Sequence, residues 1–413
     1  MKSKILNDKI LKYLIFFIPI SLVAGSLILN LNLVIISLFF LTGTLFSSYY
    51  RNYLKIDWFI IGLIFLLLQI ISSLINFSGI DSVIRSVGFL KFLFLALSIK
   101  LVFENDHKNF FLFLKILSAV IIFIIIDSLI QYFFGQNIFG VKYDHPRLSS
   151  VFVDTFVVGS FLSKTGFLVT PLVYFYFDKL RNKNIYVFLW FLLLFITILL
   201  SGDRMPFLVF VMGITLYYFI KSLKSFKHLL FLILIYSTFL IVFITSPTVS
   251  ERFKELTHEQ YGLSKTLDIR NSQYGAHFLT AYEIFKKYPI LGVGAKNFRA
   301  ESCKSEYENI QSAQANRRCS THPHNIVFEI LSEHGIAGMI CFILIIFYTL
   351  KNLKINDDIK IFYLISLIIY IWPIGTSGSI FTSWNGTFLW INIGILSFIK
   401  KKLILKNENW VLK

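Results

Sequence analysis

The stretch THPHNIVFEILSEHGIAG, residues 321–338, gathers polar side chains just ahead of a long apolar run. Pro323 suits the first turn of a helix, where its missing N–H costs nothing. The spacing therefore predicts a helix from Pro323, with His324 and Asn325 in its first turn and a stop at Gly335. Free N–H groups and the positive end of the helix dipole draw anions to such a turn. The same field disfavours a protonated imidazole, and a histidine with an ordinary pKa of about 6.5 needs only a small push to stay neutral. His324 is thus a candidate general base beside an anionic ligand, with Asn325 placed to orient it or a ligand and with His322 as its neighbour. Taken alone, either histidine serves equally well as a helix cap or a headgroup contact.

Three arginines offer cations for such an anion: Arg147 in DHPRLSS, Arg204 in LLSGDRMPF, and Arg270 just ahead of NSQYGAHFLTAYEIFKKYP. A guanidinium matches phosphate oxygens with paired, charge-assisted bonds, although Asp203 is a competing partner for Arg204. Lys91, Asp127 and Lys164 fall inside apolar runs, where an ionisable side chain marks a functional site by default. The alternative is a Lys91–Asp127 ion pair that joins two helices. His145, His258 and His277 are scattered, and the chain has no HExxH, paired CxxC or Walker loop. The only acidic dyad of nucleotide-sugar type is in NDD at 356–358. Neither a metal nor another cofactor is therefore expected. Of the three cysteines, Cys341 is in an apolar run, while Cys303 and Cys319 either close a small loop as a disulfide or stand as free thiols.

The elements that must position these residues are membrane helices. The 413 residues are 56% hydrophobic and only 15% charged, too few polar groups to coat a soluble domain. Apolar runs near 11–29, 32–50, 57–76, 84–102, 110–134, 157–177, 185–200, 205–220, 228–246, 332–350, 359–374 and 381–399 give about twelve helices able to span a bilayer. The expected fold is an all-α polytopic membrane protein.

The formal net charge of +17 does not point to nucleic acid, because the cations sit in short links between apolar runs. The ends carry Lys2, Lys4, Lys9 and Lys12, and Lys400, Lys401 and Lys402. Alternate links carry Arg51 and Lys55; Lys100 and Lys108; Lys179, Arg181 and Lys183; Lys221, Lys224 and Lys227; and Lys351, Lys354 and Lys360. By the positive-inside rule both termini are cytoplasmic. The first run has a signal-peptide look but reads as an uncleaved helix, with eleven more runs behind it.

Residues 1–246 thus hold helices one to nine, 247–331 form a large external loop containing short helices and the His-Asn motif, and 332–413 hold the last three helices. Within the loop, NSQYGAHFLTAYEIFKKYP reads as a helix with apolar Phe278, Tyr282 and Phe285, stopped by Pro289, and LGVG reads as a turn. The two halves of the chain show no repeat, which weighs against a transporter or lipid flippase, the alternative of a different class.

HPHNIVFEILSEHGIAG resembles the signature of the O-antigen ligase and O-antigen polymerase family of bacterial membrane glycosyltransferases. His324, Asn325, Gly335 and Gly338 fit its spacing. SGDRMPFLVFVMG is similar to the family's Ser-Arg turn, and IRNSQYGAHFLTAYEIFKKYPILGVGAKNF to the segment leading into its Pro-x-x-Gly-x-Gly. The resemblance covers about 186–345. RLSSVFVDTFVVG keeps Arg147 but lacks the family's Pro-Asn.

The resemblance implies an inner-membrane enzyme, without cofactor, whose active site faces the periplasm. The donor would be an undecaprenyl-diphosphate-linked saccharide and the acceptor a hydroxyl of the lipid A core. In the polymerase branch the acceptor is another carrier-linked glycan, and in a related branch a protein hydroxyl. His324 would be the base, Arg204 and Arg270 the diphosphate ligands with Arg147 in support, and Asn325, His322, Lys91 and Asp127 supporting residues.

Overall fold

The computed structural model describes residues 2–76, 80–177, 183–223, 225–253, 269–354 and 358–399. Lys179, Arg181, Lys224, His258, Lys400, Lys401 and Lys402 lie outside the described residues, as do most of the NDD dyad and residues 254–268 of the long loop.

The apolar runs fold as helices because a bilayer leaves no other partner for backbone N–H and C=O groups. In chain order they are α1 (Lys2–Ala24), α2 (Ser26–Phe46), α3 (Ser48–Tyr53), α4 (Asp57–Ile75), α5 (Ile80–Val87), α6 (Leu90–Asn105), α7 (His107–Phe134), α8 (Val158–Tyr176), α9 (Lys183–Leu200), α10 (Arg204–Ser222) and α11 (Lys227–Thr245). After the long loop come α12 (Gln273–Lys287), α13 (Phe298–Glu301), α14 (Ile326–Leu350), α15 (Asp358–Tyr370) and α16 (Ser383–Ile399). The apolar runs lie largely in helices, although 11–29 is divided at Gly25 between α1 and α2, 84–102 between α5 and α6, and 359–374 extends beyond α15. Among the described residues nine helical stretches are long and apolar enough to cross a membrane. The protein is an all-α polytopic membrane protein.

Helix α6 is the axis of the bundle: Phe92 through Phe103 are buried without interruption, between α2 on one side and α16 on the other. Helix α4 packs along α14, and α8 sits among α7, α9 and α15. Helix α11 stays at the rim and buries only His228, Leu232 and Ile235. An all-round apolar helix such as α6 belongs in a core, and one whose apolar surface stays open, as in α11, belongs against lipid.

The polar links at one end of the bundle interlock. Gln131 accepts from the N–H groups of Ser149 (3.1 Å) and Ser150 (2.7 Å) and donates to Val141 O, Lys142 O and Ser149 Oγ. Asp127 accepts from Ile138 N (3.0 Å), Asn137 Nδ2 (3.1 Å) and Ser150 Oγ (2.5 Å). Those bonds answer the question posed by the intramembrane charges. Asp127 organises the link after α7, whereas Lys91 donates to Asn30 Oδ1 (2.9 Å) and Ser383 Oγ (2.8 Å). The Lys91–Asp127 ion pair does not form, because each side chain has closer neutral partners.

Candidate active site

The predicted helix start is displaced by three residues. Helix α14 opens at Ile326 with Asn325 as its N-cap, since an asparagine there satisfies two orphan donors that a proline-led turn would leave open. Asn325 Oδ1 accepts from Val327 N (2.9 Å) and Phe328 N (3.2 Å), and its Nδ2 donates to Pro373 O (2.7 Å) and Gly375 O (3.0 Å). All four hydrogen-bonding positions of the amide are used. Asn325 therefore locks the helix start to the link between α15 and α16 and has no position left for a sugar. His324 precedes the helix in the left-handed region, with φ 58°, and its carbonyl accepts from Ser377 N at 2.7 Å.

His324 keeps company the sequence did not reveal. The His324 ring lies 4.0 Å from that of His322, 5.2 Å from that of His277 in a near-parallel stack, and 5.6 Å from Tyr274, centroid to centroid. His277 bonds Arg317 O through Nε2 (2.9 Å), and His322 Nδ1 meets Thr321 Oγ1 (3.0 Å). His322 Nε2 is buried without a protein partner. Burial, then the charges of His322 and His277, pushes His324 down to about 3. Burial likewise pushes His322 down to about 4 and lowers His277. The imidazoles are neutral, as the helix-dipole reading expected, but desolvation is the principal cause.

Gly335 does not end α14. The helix continues to Leu350 through a break at this residue, whose φ of 62° and ψ of −164° suit glycine alone. Residues 289–294 fill the break. Val293 N donates to Ser332 O (3.0 Å) and Gly294 N to Glu333 O (2.9 Å), while Ile336 N and Ala337 N donate to Pro289 O (2.9 Å) and Ile290 O (3.1 Å). A Cβ on Gly292 would stand 2.3 Å from the Glu333 carbonyl carbon, so the glycine permits the approach. The predicted LGVG turn is thus a plug that satisfies an interrupted helix. Glu333 secures its continuation by accepting from Lys296 N (2.8 Å) and Phe298 N (3.3 Å). The preceding helix α12 ends at Lys287 and buries Ala276, His277, Thr280, Ala281 and Ile284 rather than Tyr282, which is exposed.

The arginines gather at the turn before α10. Arg147 pairs with Asp203 at 2.5 Å and donates to Phe156 O at 2.7 Å. Asp203 also accepts from Gly159 N (2.9 Å), so its carboxylate is committed to Arg147 and α8. Burial raises the Asp203 carboxyl and the Arg147 charge opposes the rise. Arg252, which sequence reasoning passed over in SERFKEL, donates from Nε to Gly202 O (3.1 Å). Burial, followed by the charges of Arg204 and Arg147, lowers Arg252 to about 10, and Tyr274 also acts on it. Arg252 therefore lies between the arginine turn and the Tyr274 edge of the histidine cluster. A second bridge exists: Met205 Cε packs on Gly375, the residue whose carbonyl Asn325 holds. Arg270 stands exposed on the Ile269–Asn271 turn before α12.

Residues 189–343 match the family model described as O-antigen ligase. The chain carries an O-antigen ligase family domain. No curated protein matches the chain. The O-antigen ligase domain includes Arg204, Arg252, Arg270, the plug and the His-Asn motif, whereas Arg147, Lys91 and the link after α15 lie outside it. Among the described residues no three His, Cys, Asp or Glu side chains are grouped to hold a metal ion. Cys303 and Cys319 stand with their Cα atoms 4.7 Å apart, inside the range a disulfide spans.

Proposed function

We propose that this O-antigen ligase family protein transfers a saccharide from a polyprenyl diphosphate carrier to a hydroxyl of the lipid A core, at the periplasmic face of the inner membrane with both termini cytoplasmic. The observation that carries the reading is the junction of His324 with the arginine turn through Asn325, Gly375 and Met205. It links the His324 segment to the turn that carries Arg204, which supports a base and a diphosphate site in one region. His324 removes the proton of the acceptor hydroxyl as the oxygen bonds to the anomeric carbon. The bond from that carbon to the diphosphate breaks, and its electron pair leaves on the diphosphate oxygen. In this reading Arg204 and Arg252, with Arg147 beside them, stabilise the negative charge of the departing anion, and Arg270 on its exposed turn is a further ligand for it. The donor is already activated, so the reaction needs no further energy source.

A groove of about 480 Å³ between α10 and α11 also favours a lipid-borne donor. Leu208, Val211, Met212 and Leu216 descend one face of α10 from Arg204, and Phe219 and Tyr236 line its far end. An apolar carrier lying there would keep its diphosphate at the arginines. The test is His324→Ala in the purified full-length protein, with transfer from a carrier-linked glycan as the readout. Loss of a general base lowers the rate about 10²–10⁴-fold, and full activity would end the assignment. A deletion strain separates the branches: polymer left on its carrier identifies a ligase, and a single repeat on the lipid A core a polymerase.

A further inference from the structure

The arginine turn leaves other cations of this end of the bundle unused. Ser82 on α5 donates to Ala295 O (3.2 Å) and accepts from Asn297 Nδ2 (3.1 Å), which brings Arg85, one turn further along α5, against the segment carrying Lys296 and Arg299. Lys296 feels the charges of Glu333, Arg299, Glu329 and Arg85, and Lys91 feels that of Lys296. Lys296 and Arg299 in turn act on His322. The group thus borders the histidine cluster at its His322 edge, whereas Arg252 reaches it at Tyr274.

These charges are only partly offset from within, by Glu333 and Glu329 beside Lys296. Among the described residues Arg85, Lys296 and Arg299 enter no ion pair and donate no side-chain hydrogen bond. Lys91 has only the neutral partners Asn30 and Ser383. Glu333 and Glu329 act on Lys296 without forming an ion pair with it; Glu333 accepts from two backbone N–H groups, one of them that of Lys296, and Glu329 accepts from Ile380 N (3.2 Å). Lys296 is held in the left-handed region at φ 56°, which a lysine adopts only where its surroundings impose it. A half-buried cation without a counter-ion is costly unless a ligand supplies one.

We infer that Arg85, Lys91, Lys296 and Arg299 form a second anion site that takes a phosphate or diphosphate of the acceptor glycan. Resting on the transferase reading, this assigns the donor diphosphate to the Arg252 edge of the histidines and an anionic acceptor to the His322 edge. The two sites hold the two substrates on either side of the base. The shared chemistry has two sources, a phosphorylated lipid A core and a second carrier-diphosphate-linked glycan.

Titration calorimetry of the purified full-length protein with inorganic pyrophosphate tests the site without requiring turnover. Two binding events are expected. Lys296→Asn with Arg299→Gln should weaken one by at least about tenfold, the loss of a charge-assisted bond. Arg204→Ala with Arg252→Ala should weaken the other. A single event, or an unchanged isotherm in the Lys296/Arg299 variant, overturns the inference even if His324→Ala proves the transferase reading right. In transfer assays the Lys296/Arg299 variant should raise the acceptor KM and not the donor KM. The rise should vanish with phosphatase-treated lipid A core if that is the source, and appear only with a carrier-linked acceptor if the diphosphate is. A rise in the donor KM, or an equal effect on phosphorylated and dephosphorylated acceptors, contradicts it.

Discussion

Replacing Gly335 by alanine separates the helix break from every other feature of the site. At φ 62° and ψ −164° an alanine carries about 1–3 kcal/mol of backbone strain. Its Cβ would also stand 2.3 Å from Ile290 O, too close for either backbone to remain in place. Displacing the plug breaks four backbone hydrogen bonds, each with a net value of about 0.5–1.5 kcal/mol. The total is on the order of 3–9 kcal/mol. Gly135→Ala is the matched control: φ is 77° there, but nothing lies within 4 Å of the new Cβ, so strain acts alone, at about 1–2 kcal/mol. Thermal unfolding in detergent should show Gly335→Ala clearly less stable than Gly135→Ala. Transfer should fall with it, because the plug leads directly into Lys296 and Arg299. Equal midpoints and retained transfer in the two variants would refute the claim that the plug, rather than glycine's flexibility, holds α14 in its broken form.

Acid should destabilise the protein well before carboxylates titrate. His277, His322 and His324 are all lowered in the folded state, so between about pH 6.5 and the lowered values the unfolded chain binds protons that the folded chain does not. Stability is therefore full above about pH 6.5 and declines as pH falls through it, and a melting midpoint unchanged between pH 7.5 and 5 would contradict the burial of these rings. Arg204→Ala and Arg252→Ala should each raise the donor KM, with lysine restoring only part of the loss because paired bonding to phosphate is gone; donor kinetics measured for both variants decide it. Alkylation of the unreduced, denatured protein should label Cys341 alone, and labelling of Cys303 and Cys319 as well would exclude a disulfide between them.

The helices were legible because an apolar run in a bilayer has one solution, and the runs read from the sequence lie largely in helices, though not one helix to a run. The His-Asn motif and the Ser-Arg turn were legible through their resemblance to the family's motifs. What the sequence hid was partnership across distance. Asn325 finds its acceptors 48 and 50 residues away in WPIG, a stretch that reads only as the end of the apolar run 359–374. Nothing local separates Gly335 as a helix stop from Gly335 as a helix break, since the outcome depends on backbone supplied by residues 289–294. The packing face of α12 was not legible for a related reason. Phe278, Tyr282 and Phe285 have the apolar periodicity, but the helix packs by its small residues, which let His277 reach His324.

Two non-glycine residues with left-handed backbone, His324 and Lys296, border the same cluster of imidazoles. Each is held by bonds that its own side chain does not make. The His324 carbonyl accepts from Ser377 N, and Asn325 fixes the next residue with four bonds; the Lys296 N–H donates to Glu333. Backbone anchoring leaves the Lys296 ammonium uncommitted to the scaffold and the His324 imidazole with one long contact, Nε2 to Ser320 Oγ at 3.4 Å. It also means that substitution of either side chain should remove chemistry without removing the loop geometry, whereas substitution of the anchors, Asn325 or Glu333, should remove both. That asymmetry is what distinguishes a site built for ligands from a polar core, in which the side chains themselves hold the structure together.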